Sequence, residues 1–261
     1  FRVKVIDNPT GRTAAGLNIA VKYSKNPIIV RVDGHAKLPK NYITIAVELL
    51  DETGAVNVGG VMAAEGTTSF ERSVARAMRS PLGVGAAKFH TGGAAGEVDT
   101  VYLGVFKRDA LIEVGGFDEH FTRAQDWELN YRLRSKGGKI FFDPRLTVTY
   151  RPRKSLLALG KQYFEYGQWR RVVTRTHKRT INYRYLAPPV TFLAVLISLI
   201  GSILNSILII PAAIYGAFLI IAAISIGRGL LERIFLPFVL FTMQMSWGVG
   251  FLTSRKSLAK S

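Results

Sequence analysis

GGFDEHFTRAQDWELNYRLRSKGG, residues 115–138, has a glycine pair at each end and one short helix between them. The first pair, Gly115-Gly116, suits a tight turn in which the backbone passes close to something else. Leu129 and Leu133 lie four apart and share one helix face. Gly137 is placed to end the helix in the left-handed conformation. Asp126 and Glu128 therefore fall in the first turn, where the positive end of the helix dipole favours a carboxylate. Ionised at neutral pH and projecting from a loop-to-helix junction, Asp126 is a candidate general base. A capped surface helix that carries its acids in the first turn is the competing reading of the same pattern.

The string as a whole resembles the acceptor-side motif of family 2 inverting glycosyltransferases. In that motif a glycine pair, Phe and Asp-Glu precede an acidic dipeptide and a helix ending in Arg-Leu. Here these are Gly115-Gly116-Phe117-Asp118-Glu119, Gln125-Asp126-Trp127-Glu128-Leu129 and Arg132-Leu133. Gln125 stands where the family has Glu; the Asp to which the resemblance assigns the role of base is kept. The resemblance covers about residues 1–150 and points to the membrane-anchored, exopolysaccharide (succinoglycan-type) members. It implies a GT-A (Rossmann-like) mixed α/β sheet with helices on both faces. The family opens with a strand-helix-strand unit whose acids hold the nucleotide base and ribose. That unit has no counterpart here, so the expected sheet is incomplete at its N-terminal side.

Outward toward the N-terminus, Ile28–Val32 (IIVRV) is short and apolar, as in a strand buried in a parallel sheet. It runs into Asp33-Gly34-His35. In the family a strand end carries Asp-x-Asp, which binds a divalent metal on the nucleotide-sugar diphosphate. A hard cation suits that place because the diphosphate leaves as an anion. The resemblance makes Asp33 and His35 the metal residues. With His at the third position, the pair is a weaker choice for Mg²⁺ and a more acceptable one for Mn²⁺. Asp-Gly-His on its own is an ordinary turn.

The rest of residues 1–150 alternates strand and helix patterns, the grammar of an α/β sheet with its site at the carboxyl ends of the strands. Strands are expected over Phe1–Ile6, Val56–Met62, Asp99–Phe106, Lys139–Asp143 and Leu146–Tyr150, the last two split by Pro144. Helices are expected over residues 11–24, 40–50, 69–78 and 107–114. Residues 83–96 read as a mobile surface loop, with His90 either solvated or touching substrate phosphate. Gly104 is expected to let the backbone pass near a sugar. Asp118 and Glu119 are expected to shape the acceptor side. Trp127 is expected either to stack on a sugar or to pack in the core beside Leu129.

Charge and hydropathy divide the chain further. The net charge is +17, and there is no cysteine, which excludes disulfides and thiolate metal sites. Residues 1–150 hold 20 Lys/Arg against 16 Asp/Glu, residues 151–186 hold 10 against 1, and residues 187–261 hold 5 against 1. The near balance of the first part argues against a nucleic-acid partner. The basic run precedes the most apolar region, as anionic head groups and the positive-inside rule favour. Leu156–Arg175 reads as an amphipathic helix at the membrane surface, with Leu156, Leu159, Tyr163, Tyr166 and Trp169 near one face. Leu186–Gly227 carries no charged residue over 42 positions, enough for two spans of about 20 residues each. Ile234–Leu252 is a third apolar run. Three spans from a cytoplasmic domain would put Arg255-Lys256 outside, against the positive-inside rule, so the third run reads as a span or as re-entrant or interfacial.

The expected domains are thus 1–150 for the glycosyltransferase part, 151–186 for a basic interfacial segment and 187–261 for two to three transmembrane helices. The expected protein is a multi-pass inner-membrane enzyme with a cytoplasmic catalytic domain. Its partners would be a nucleotide-sugar donor, a saccharide or lipid-linked acceptor, and membrane lipids. The alternative is a non-catalytic membrane-anchored remnant or scaffold.

Overall fold

The computed structural model describes residues 3–34, 36–178 and 180–259. In chain order the elements are α1 (Thr13–Tyr23), β1 (Ile28–Val30), α2 (Tyr42–Thr53), β2 (Asn57–Ala64), α3 (Ser69–Met78), α4 (Pro81–Val84) and α5 (Lys88–Thr91). Then come β3 (Gly96–Glu97), β4 (Tyr102–Lys107), α6 (Arg108–Glu113), α7 (Gln125–Ser135) and β5 (Ile140–Tyr150). The chain closes with α8 (Leu156–Thr176), α9 (Tyr183–Gly201), α10 (Ile210–Ile226) and α11 (Leu230–Thr253). It divides into two compact units: residues 1–63 with 87–150, and residues 64–86 with 151–261.

The first unit is a mixed α/β domain. Among the described residues it has one five-stranded sheet in the order β1-β4-β2-β5-β3. From β4, Leu103 and Val105 enter one core while Phe106, with Val101 just before the strand, enters another. The first core is closed by Tyr42, Ala46, Leu49 and Leu50 of α2. The second is closed by Ala14 of α1, Leu111 of α6 and Leu129 and Leu133 of α7. Helices thus cover both faces, as expected.

Three local expectations are corrected. Residues 3–6 are irregular and form no strand: their alternating side chains are mostly exposed, with Val3 and Val5 above 85%, so no buried face rewards pairing. β1 pairs with β4, and it does so antiparallel, with Ile28 opposite Lys107 and Val30 opposite Val105. It is half-buried, not enclosed. Pro144 does not split β5, which runs unbroken through it. Pro144 and Arg145 are exposed there, beyond the two residues, Phe141 and Phe142, that pair with β3, so the missing N–H costs no bond to that strand. Opposite this point, β2 presents Gly60, where any Cβ would collide with the carbonyls of Asp143 and Leu146.

The second unit is helical. α3 opens with a capping box: the Thr68 hydroxyl accepts the Glu71 N–H while the Glu71 carboxylate accepts the Thr68 N–H. Arg72 and Arg76 of α3 both pair with Glu232 in the first turn of α11. α8 lies along α11 at backbone distance. A Cβ on Gly167 would overlap the Trp247 carbonyl oxygen, and one on Gly250 would overlap that of Phe164. Leu159, Tyr163 and Trp169 are accordingly buried within the protein, while Leu156 and Tyr166 remain about 40% exposed. Part of the basic run is also used internally. Arg170 sits 4.4 Å over the Tyr185 ring, Arg171 5.0 Å over the Phe251 ring, and Arg175 donates to the Arg255 carbonyl.

Among the described residues, three helices are long and apolar enough to cross a membrane: Tyr183–Gly201, Ser206–Ile226 and Leu230–Thr253. Only 17% of the first two is covered by protein, against 44% of the third. That difference follows from α8 and α3 packing on α11.

Candidate active site

β1 ends at Val30, and the next residue turns the sheet into a site. The Arg31 N–H donates to the Gly104 carbonyl, which anchors the backbone beside β4. That partner stretch is unusual: Leu103 has φ 61° and Gly104 φ 105°. The space that a Gly104 side chain would need is filled by the Phe106 ring and the Asn57 amide, so its small size has a packing cause.

The Arg31 side chain is only 7% exposed. Its Nε donates to Asp33 Oδ1 at 3.0 Å and its Nη2 lies 3.4 Å from Asp33 Oδ2. Its Nη1 donates to Asp126 Oδ1. The guanidinium carbon also stands 5.7 Å from the Phe117 ring centroid. One buried cation is therefore forked between the two acids that the sequence singled out, although 95 positions separate Arg31 from Asp126. Asp33 and Asp126 keep 24% and 30% of their side chains exposed, so both remain open to a ligand.

Asp126 reaches this place because α7 starts one residue earlier, after Ala124 at φ 60°. A non-glycine residue in the left-handed region costs about 1–2 kcal/mol, and such residues gather at functional sites. The turn before it is clamped by α1: Asn18 donates from Nδ2 to the Phe117 carbonyl and to Glu119 and accepts the Phe117 N–H. Gly115 and Gly116 have φ 77° and 72°, and a Cβ on Gly116 would strike the Asn18 amide. Asp118 accepts the His120 N–H. Trp127 is 8% exposed and stacked on Tyr131 at 5.6 Å. Glu128 is buried and forms a two-point pair with Arg132, which also donates to the Val114 carbonyl. Of the two acids in the first turn, Glu128 thus ties the helix and Asp126 faces the open side.

The electrostatics divide along the same line. Burial raises the Asp126 carboxyl above its ordinary range, and Arg31 pulls in the opposite direction. Arg31 pays for its own burial, but Asp126 and Asp33 hold it firmly protonated. Burial raises the Tyr102 phenol too, with Asp33 and Asp126 adding to the rise. Tyr102 meets Tyr150 edge-on at 6.4 Å.

His35 lies outside the described residues. Among the described ones, no three His, Cys, Asp or Glu side chains gather as a cation cage. Asp33 is a hard oxygen donor at a strand end, partly open. It fits a cation that takes one or two carboxylates and completes its shell with phosphate oxygens and water, as Mg²⁺ and Mn²⁺ sites do. His90 is not the solvated histidine expected: burial lowers it to about 4, so it is neutral at pH 7.

Sequence reading missed Arg31, Asn18 and Tyr102. Arg31 did leave a signal, being a charged residue inside the apolar run IIVRV, which is rare unless the charge is paired. Asn18 and Tyr102 left none.

A sheet covered on both faces by helices, with acids at a strand end and at a helix start, defines a GT-A-like glycosyltransferase fold. The structure is similar to that of the mannosyltransferase PcManGT from Pyrobaculum calidifontis in complex with GDP-Man and Mn²⁺ (TM-score 0.52, 16% identity, 93% of this chain and 66% of that one). Glycosyl transferase family 2 matches residues 1–115, so Asp126 lies past the matched part. The succinoglycan biosynthesis protein ExoA of Rhizobium meliloti (strain 1021) is 31% identical over 222 residues, 83% of this chain and 66% of that protein. A dolichyl N-acetyl-alpha-D-glucosaminyl phosphate 3-beta-D-2,3-diacetamido-2,3-dideoxy-beta-D-glucuronosyltransferase of Methanococcus voltae is 23% identical over 204 residues, 76% of this chain and 62% of that protein. The chain spans a little under two thirds of the length of these relatives. It belongs, by its N-terminal domain, to glycosyl transferase family 2.

Proposed function

We propose that this chain acts as a membrane-bound inverting glycosyltransferase. It would move a sugar from a nucleotide-sugar to a saccharide or lipid-linked acceptor in polysaccharide synthesis. The observation that carries this reading is the sharing of Arg31 between Asp33 and Asp126, which puts a donor-side acid and a candidate base around one guanidinium. The names of the relatives, a succinoglycan biosynthesis protein and a mannosyltransferase bound to GDP-Man and Mn²⁺, support the same class.

In this mechanism Asp126 accepts the proton of an acceptor hydroxyl. The freed oxygen forms a bond to the anomeric carbon as the bond to the diphosphate breaks on the far side, and the configuration inverts. The electron pair leaves with the nucleoside diphosphate. A divalent cation, held by Asp33 and His35 with the phosphate oxygens, would neutralise that leaving charge. Gly104, Gly115, Gly116, Asp118, Glu119 and Trp127 form the turn and packing around the acceptor side. No second carboxylic acid is needed, unlike glycoside hydrolysis.

For the second unit we propose two crossings, Tyr183–Gly201 and Ser206–Ile226, with α11 packed under α8 and α3 by the charges on Glu232, Arg72 and Arg76. Two crossings return Arg255-Lys256 to the side of a cytoplasmic catalytic domain, in keeping with the positive-inside rule.

The test is Asp126→Asn in the full-length protein. Loss of a general base should lower kcat by about 10²–10⁴-fold in a protein that still folds. Wild-type turnover in this variant would sink the assignment. A full-length protein that binds no nucleotide sugar in the presence of Mn²⁺ would point to a scaffold instead.

A further inference from the structure

Resting on the reading above, we infer that Arg31 is a positioning residue that couples cation binding at Asp33 to the hold on Asp126. Its guanidinium is nearly inaccessible, its backbone is fixed to Gly104, and its fork is divided, with Nε and Nη2 toward Asp33 and Nη1 on Asp126. A guanidinium carries its donors in one rigid plane, so it cannot strengthen its hold on one acid without loosening the other. A divalent cation at Asp33 competes with Arg31 for the same two oxygens. Once it wins, the charge of Arg31 falls on Asp126 alone. The base is then gripped most tightly when the donor side is filled. Before that, Arg31 screens two acids that would otherwise repel each other.

Linkage makes this testable without turnover, because removing a competitor tightens what it competed with. The measurement is Mn²⁺ binding to the full-length protein, read by water-proton relaxation with no donor present. Arg31→Met should bind Mn²⁺ about fivefold or more tightly than wild type. In transfer assays its kcat should fall by about 10²-fold, the cost of a misplaced catalytic group. A residue that only supports the fold would not tighten cation binding when removed. Arg31→Lys keeps a charge but, as a point cation, serves one acid at a time. It should lie between wild type and Arg31→Met in both readouts, and it carries the test if Arg31→Met unfolds.

A folded variant with wild-type Mn²⁺ affinity or wild-type kcat overturns the inference. So does unfolding of both variants, which would make Arg31 a structural tie. Wild-type protein that transfers sugar while binding neither Mn²⁺ nor Mg²⁺ overturns it and leaves the transferase reading standing. Wild-type protein that transfers no sugar removes that reading itself.

Discussion

Asp126 sits between two opposed influences, and their order fixes a pH dependence. Burial raises its carboxyl and Arg31 lowers it, with burial the larger. The base proposed here must be deprotonated to act, so the rate should fall as pH drops through this raised value. The acid limb of the kcat profile should therefore lie above the ordinary Asp value of about 3.9. In Arg31→Lys, where the hold is weaker, the limb should move further up. A limb at or below pH 4 would contradict this. Two residues earlier, Ala124 stands at φ 60°, where glycine is at ease. Ala124→Gly should stabilise the protein by about 0.5–1 kcal/mol in denaturant melts, the relieved strain less the entropy glycine loses.

At the scale of elements, α7 and α3 are each fixed by a carboxylate. Glu128 is buried against Arg132, which reaches on to the Val114 carbonyl. Glu128→Ala strands a mostly buried guanidinium and should cost about 3 kcal/mol, read from the denaturant midpoint. Glu71 in the α3 capping box is lowered to about 2, first by the Thr67 hydroxyl and then by the Thr67 and Thr68 N–H groups. A carboxylate lowered on folding adds stability above its unfolded value, and that stability is lost as pH falls. Between pH 4.5 and 2 the melting midpoint of wild type should thus fall more steeply than that of Glu71→Gln.

Both helices were readable in advance, because their signals are local. The Gly pairs and Leu129–Leu133 bound α7, and α3 falls on the residues 69–78 whose pattern predicts it. The sheet was readable as strands but not as pairings. β1 finds its antiparallel partner more than 70 positions away, and no local pattern encodes that. Pro144 misled because its cost depends on whether a neighbour needs its N–H. Asp33 and Asp126 were found by motif. Arg31, which joins them, was passed over because its second partner, Asp126, is 95 positions away.

On the scale of the whole chain, the second unit depends on close helix contact. Gly167→Val would force a side chain into the Trp247 carbonyl and should destabilise that unit by about 1–3 kcal/mol, seen as an earlier melt in detergent. Residues 64–86 leave the sheet domain to join this unit and then return. Phe70 meets Phe235 edge-on at 5.9 Å, and Arg72 and Arg76 share Glu232. The gene therefore has no single clean seam. A piece harvested by stopping at Tyr150 would carry α3 orphaned, its greasy ring and two arginines turned to water, and should elute as aggregate. Anyone wanting the sheet domain alone must replace residues 64–86 with a short polar bridge.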